Sequence, residues 1–136
     1  MTKKTQIYIS HSIKGHKGKD ATDEDMTANN AKAIAFGRVL RRRFPNIEFY
    51  VPGDGDEFVI LAYQSRFISE DEILNVDCQI IDARDVVLAY IHDQYISNGV
   101  LVEIQHAHET RKPVFLAKDI EQAERVLNRY LEDKKR

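Results

Sequence analysis

The sequence predicts an α/β protein, an open, doubly wound sheet of about four to five mainly parallel strands with helices on the connections. Three observations carry that expectation. Strand-like and helix-like stretches alternate along the chain. The run Asp85-Val-Val-Leu-Ala-Tyr-Ile91 is almost continuously apolar, as a strand covered on both faces requires. Helix-start chemistry stands at Thr22 and Ser69, ahead of helical patterns. The 136 residues suffice for one core and are too few for two, so residues 1–136 are read as a single domain.

In order, Gln6-Ile-Tyr-Ile-Ser10 alternates apolar and polar residues and reads as the first strand, followed by a Gly- and Lys-rich loop, Lys14-Gly-His-Lys-Gly-Lys19. Thr22 with Asp23, Glu24 and Asp25 opens a helix that ends at Arg41-Arg42-Arg43 before Pro45, where cations suit the negative end of the helix dipole. Ile47-Glu-Phe-Tyr-Val51 is the second strand, stopped by the turn residues Pro52-Gly-Asp-Gly-Asp56. A short helix is expected from Phe58 to Ser65. Ser69-Glu-Asp-Glu72 is a capping box opening a helix that carries Ile73, Leu74, Ile80 and Ile81. After the Asp85–Ile91 strand and a loop from His92 to Asn98, a helix spans Gly99 to Thr110. Pro113-Val-Phe-Leu116 is the last strand, and an amphipathic helix runs from Ile120 to about Glu132. In a Rossmann-like sheet of this kind, ligands sit at the carboxyl ends of strands near a topological switch point, so the loops after Ser10 and Ile91 are the places to look.

Composition narrows the function. Hydrophobic residues make up 43% of the chain, which excludes a disordered protein, and no apolar run is long enough for a membrane span. Twenty Lys plus Arg against 22 Asp plus Glu leave a net charge of −2, so no global field attracts nucleic acid or an anionic membrane, and any anion site is local. Cys78 has no cysteine partner and the first residues lack the apolar core of a signal peptide, so a cytosolic protein is expected. Neither glycine-rich loop fits a nucleoside-triphosphate or calcium motif. His106 and His108, two apart on a helix, point to different faces, so no metal and no cofactor is expected. Ser10-His11-Ser12 reads as a strand-end cap or phosphate contact, because neighbours on a strand face opposite ways and adjacency makes no triad.

Two carboxylates stand out. Asp77 falls within the stripe of Ile73, Leu74, Ile80 and Ile81, where an acid is either tied to backbone donors or kept for chemistry. Glu103 lies at the border of the stripe of Val100, Ile104 and Ala107, one turn after Ser97-Asn98-Gly99. That tripeptide either caps the helix, leaving Glu103 a solvated acid, or holds an anion at the positive helix end beside it. Taken together, an acid pair beside an anion site suits cleavage of a glycosidic bond. One carboxylate acts as nucleophile and one protonated acid assists the leaving group. On this pattern Glu103 is the ionised rim acid and Asp77 the protonated acid within the apolar stripe.

Tyr8-Ile-Ser-His-Ser12-Ile13-Lys14-Gly15, Asp77, Ala83-Arg84-Asp85-Val86-Val87 and Ser97-Asn-Gly99-Val-Leu-Val-Glu103 resemble the nucleoside 2-deoxyribosyltransferase superfamily, nearest its nucleoside 5′-monophosphate N-glycosidase branch. The resemblance runs from the first strand to about Phe115. It implies that Glu103 attacks C1′ of the sugar and that Asp77 protonates the departing base. Tyr8 would stand at the sugar and nucleophile, with Asp85 as a polar positioner beneath. Ser12, Ile13, Lys14 and Gly15, with Ser97 and Gly99, would hold the 5′-phosphate. It also implies a small-molecule nucleotide substrate and a homodimer. Lys14 stands where the motif commonly has arginine, Gln105 and His16 where it often has glycine. Tyr50, Pro52 and the loop through Phe58 are the expected walls for the base. Hydrolysis of a 2′-deoxynucleoside 5′-monophosphate is the leading expectation. Base exchange between deoxyribonucleosides and catalytically silent nucleotide binding are the alternatives.

Overall fold

Alternating β-branched and aromatic residues give four parallel strands, β1 (Thr5–His11), β2 (Ile47–Tyr50), β3 (Val86–Tyr90) and β4 (Val114–Ala117), in the computed structural model. The model describes residues 4–52, 54 and 69–135. Sheet order is β2-β1-β3-β4. Among the described residues four α-helices connect or follow the strands, namely α1 (Asp23–Arg43), α2 (Glu70–Asp82), α3 (Asn98–Glu109) and α4 (Ile120–Lys134). A 3₁₀ segment, Gly15–Asp20, follows β1. The expected open, doubly wound α/β architecture is therefore present, with four strands among the described residues. The expected helix at Phe58–Ser65, and Phe58 as a wall of a base pocket, lie outside them.

Period-two alternation on β1 divides the core. Ile7 and Ile9, with Val86 and Leu88 of β3, face Phe36 and Leu40 of α1 and Ala123 and Leu127 of α4. Tyr8, with Val87, faces the other way onto Ile81 of α2 and Ala107 of α3. Both faces of the sheet are thus covered, which is why β3 is apolar throughout.

The helices begin where the sequence chemistry places them. Thr22 and Ser69 each form a complete capping box, with Asp25 and Glu72 as the reciprocal acids. At the far end of α1, Arg41 bonds Asp54 and the Phe49 carbonyl, while Arg43 pairs with Glu124 of α4. These contacts tie the helix to its neighbours. Among the described residues no helix is long and apolar enough to cross a membrane.

The connections leave β1 towards β2 on one side and reach β3 on the other, so the switch point lies between β1 and β3. Their carboxyl ends are adjacent, with His11 paired to Tyr90. This position gathers the segments that follow β1 and β3 into one cleft.

Candidate functional site

A small cleft of about 60 Å³ opens at this switch point, lined by His11, Ser12, Ile13, Lys14, Ile73, Leu74, Asp77, Ser97, Gly99 and Glu103. Three pieces of backbone converge there: the turn after β1, the inner face of α2, and the first turn of α3.

The turn after β1 is held by its own polar groups. Gly15 N donates to the Ser12 hydroxyl at 2.7 Å, and Asn29 Nδ2 on α1 donates to the Ile13 carbonyl at 2.9 Å. Gly15 has φ +67°, and a Cβ there would stand 2.9 Å from Asn29 Nδ2, so this bend calls for glycine on both counts. From the loop after β3, Asp93 accepts from His16 N at 3.2 Å and links the two loops. Opposite them, the Ser97 hydroxyl caps α3 by accepting from Val100 N at 3.2 Å. The amides of Asn98 and Gly99 precede the intrahelical ladder at the positive end of α3. Leu74 of α2 packs over Gly99, its Cδ2 3.4 Å from where a Cβ would stand, so α2 and α3 meet at the cleft.

Glu103 differs from its expected setting. Instead of an ionised acid on a rim, it is buried, with 4% of its surface accessible, because Val100, Glu103 and Ala107 form the face that α3 lays on the sheet. Its partners come from β1, where alternation points Tyr8 and Ser10 to the same side. The Tyr8 hydroxyl donates to Oε2 at 2.8 Å and the Ser10 hydroxyl to Oε1 at 2.5 Å. Asp77, expected to be the enclosed acid, is half-buried on α2 and shares a hydrogen bond with Glu103. The depth assignments of the two acids are therefore exchanged.

Burial first, and the adjacent Asp77 charge second, raise the Glu103 carboxyl, against the pull of the Ser10 and Tyr8 hydroxyls. Two carboxyls in hydrogen-bond contact titrate as a pair, so the pair keeps one proton until about pH 8. Burial and the two acids also raise Tyr8 well above the ordinary phenol value, and it stays a hydrogen-bond donor. Cys78, next to Asp77, is raised to about 11 by burial and by the charges of Glu103 and Asp77. It remains a thiol.

The structure brings Ser12, Ile13, Lys14, Asp77, Ser97, Gly99 and Glu103 to one cleft, with Tyr8 directly behind Glu103 and Gly15 shaping the turn. Asp85 does not join them. It sits just before β3, at the amino end of the sheet, where its carboxylate accepts from Gln6 N at 2.8 Å and fixes the start of the β1–β3 pairing. Tyr50 does not line the cleft; its ring stacks on Tyr8 at 5.7 Å, with Arg84 5.1 Å above it. Pro52, the other described wall residue, is half-buried and also absent from the lining. Ser10 is the residue that sequence reasoning missed as a partner of the acids; its position two after Tyr8 on a strand was the available signal. His106 bonds Asp82 at 2.7 Å and links α3 to α2. Among the described residues no three His, Cys, Asp or Glu converge as a metal-ligand set. Comparison of the chain with family models, with curated proteins and with solved structures finds no match to any of them.

Proposed function

We propose that this protein, acting in the cytosol as a homodimer, hydrolyses the N-glycosidic bond of a nucleoside 5′-monophosphate in its 2′-deoxy form. The observation that carries the reading is the hydrogen-bonded pair of Asp77 and Glu103, set in a cleft whose other wall is a braced Ser-Ile-Lys-Gly turn facing a helix N-terminus. Such a pair holds one proton across the neutral range, and glycosidic cleavage needs one carboxylate and one carboxylic acid. Lys14, the Ser12–Gly15 turn and the first amides of α3 are suited to a phosphate. Val76 on α2 and Leu101 on α3, 52% and 51% accessible, are apolar surface that a second copy would cover.

In the proposed reaction, a Glu103 oxygen bonds to C1′ as the C1′–N bond breaks, and the Asp77 proton passes to the departing base. Water then attacks C1′, returns a proton to Asp77, and frees Glu103 and the sugar 5-phosphate. The two carboxyls stand closer than the roughly 5 Å that retaining glycosidases leave between theirs. Substrate entry therefore requires Asp77 to turn from Glu103 to the base, and its half-buried place on α2 leaves room for that.

The test is chromatography of ribo- and deoxyribonucleoside 5′-monophosphates after incubation with wild-type protein and Glu103→Ala, with and without a free acceptor base. Free base and sugar phosphate are expected from wild type alone, with release by Glu103→Ala reduced about 10³-fold or more. Exchange that depends on added base would move the reading to a transferase. Wild-type release persisting in Glu103→Ala would overturn the mechanism.

A further inference from the structure

We propose that Ser10 is a positioning residue that decides which carboxyl of the Asp77–Glu103 pair carries the shared proton, keeping Glu103 ionised and Asp77 protonated. The inference deepens the glycosidase reading and rests on it for its catalytic meaning, though not for its test.

Ser10 is fully buried, and its hydroxyl lies 2.5 Å from Glu103 Oε1; Tyr8, equally buried, lies 2.8 Å from Oε2. Each hydroxyl has one proton to place. If both donate to Glu103, each carboxylate oxygen receives a proton and neither hydroxyl is left without an acceptor. A protonated Glu103 would turn its own O–H onto Ser10, Tyr8 or Asp77. Onto either hydroxyl, that partner's proton would be displaced within a space closed to solvent, where an unmade hydrogen bond is costly. Onto Asp77, the two buried hydroxyls would face a neutral carboxyl in place of the charge to which they bond most strongly. With Glu103 ionised, Asp77 supplies the remaining proton to the bond that joins the two acids. The 2.5 Å separation also falls in the range of hydroxyls bound to a carboxylate.

The other titratable groups around Glu103 do not replace this role. Tyr8, on the same strand, stays protonated and supplies one donor only. Cys78 on α2 remains a thiol, and Asp77 is the partner itself. Val87 and Ala89, the β3 residues on that face, carry no charge. Lys14 lines the cleft at the turn after β1 and favours an anion there in general, without choosing between the two acids.

The experiment is pH titration of the side-chain carboxyl carbons by ¹³C NMR in wild type, Ser10→Ala and Ser10→Thr, with the Glu103 signal assigned by its loss in Glu103→Gln. In wild type near pH 6, where the pair as a whole still holds one proton, Glu103 is expected to show a carboxylate shift and Asp77 an acid shift. Ser10→Ala should move the Glu103 midpoint upward by about one unit, and Ser10→Thr, which restores the hydroxyl, should bring it back. A Glu103 midpoint unchanged in folded Ser10→Ala would overturn the proposal. So would a wild-type spectrum with the proton on Glu103, a result that needs no variant at Ser10 to fold. If wild type releases no base, the glycosidase reading fails on its own while this titration still decides the place of the proton.

Discussion

The pairing of Glu103 with Asp77 carries a stability cost whose sign can be worked out. A glutamate carboxyl titrates near 4.5 when exposed, and the folded pair holds its last proton to about 8. Between those values the folded protein keeps a proton that the unfolded chain has lost, so raising the pH through this window removes stability, and above about 8 the loss is complete. Glu103→Gln cannot titrate at that position and keeps the side chain's shape. Its melting temperature should exceed that of wild type by a margin that grows from about pH 5 to about pH 8, reaching about 3 °C or more. Calorimetry of both proteins across that range checks it; parallel curves would show that the buried acid exacts no such cost. The two acids stood out in the sequence, because an acid on or beside an apolar stripe is conspicuous. Their depth was not. Whether the border position of Glu103 faces solvent or sheet depends on how α3 is rotated against β1, and spacing within a single helix does not fix that rotation. Ser10 was hidden for the same reason, since its role exists only once Glu103 is laid above it.

Between elements, α1 packs closely where it crosses the end of β2. A Cβ on Gly37 would stand 2.6 Å from Val51 Cγ2, and Val51 is itself 1% accessible, so its side chain has little space into which to turn. Two effects compete in Gly37→Ala. Helix propensity favours alanine by about 1 kcal/mol. Overpacking a closed core costs about 1–3 kcal/mol. At 2.6 Å the second should win, leaving the variant destabilised by about 1 kcal/mol in urea unfolding. A gain in stability would mean that α1 lifts from the sheet without penalty. The elements themselves were well marked in the sequence, since Thr22 and Ser69 with their reciprocal acids set two helix starts and the apolar run from Val86 set a central strand. Asp85 shows where local marks fail. Next to the Val-Val strand it resembled a site residue, yet parallel pairing places it at the amino end of β3, opposite the cleft, and binds it to Gln6. The end of a strand at which a residue lies becomes meaningful only when the direction of every strand in the sheet is known.

Across the whole molecule, the cleft depends on two strand ends staying together, and a buried histidine sits at one of them. His11, at the carboxyl end of β1, is 8% accessible, and burial pushes it down from 6.5 to about 4, with nearby His92 adding to the effect and the Ser12 carbonyl opposing it. His92, just beyond β3, is lowered as well, chiefly by burial. As the pH falls from 6.5 to about 4, the unfolded chain takes up a proton at His11 while the folded protein does not. Stability is therefore lost on acidification through that window and levels off below it. This slope opposes the one from Glu103 where the two windows overlap, so the shape of the wild-type curve alone does not separate them. A double difference does. Unfolding free energies of wild type and His11→Asn at about pH 7 and about pH 4.5 should show wild type losing about 2–3 kcal/mol more than the variant on acidification, whatever asparagine costs in packing at neutral pH. Equal losses would mean that His11 takes up its proton within the folded sheet, and that the junction of β1 and β3 accepts a charge without opening.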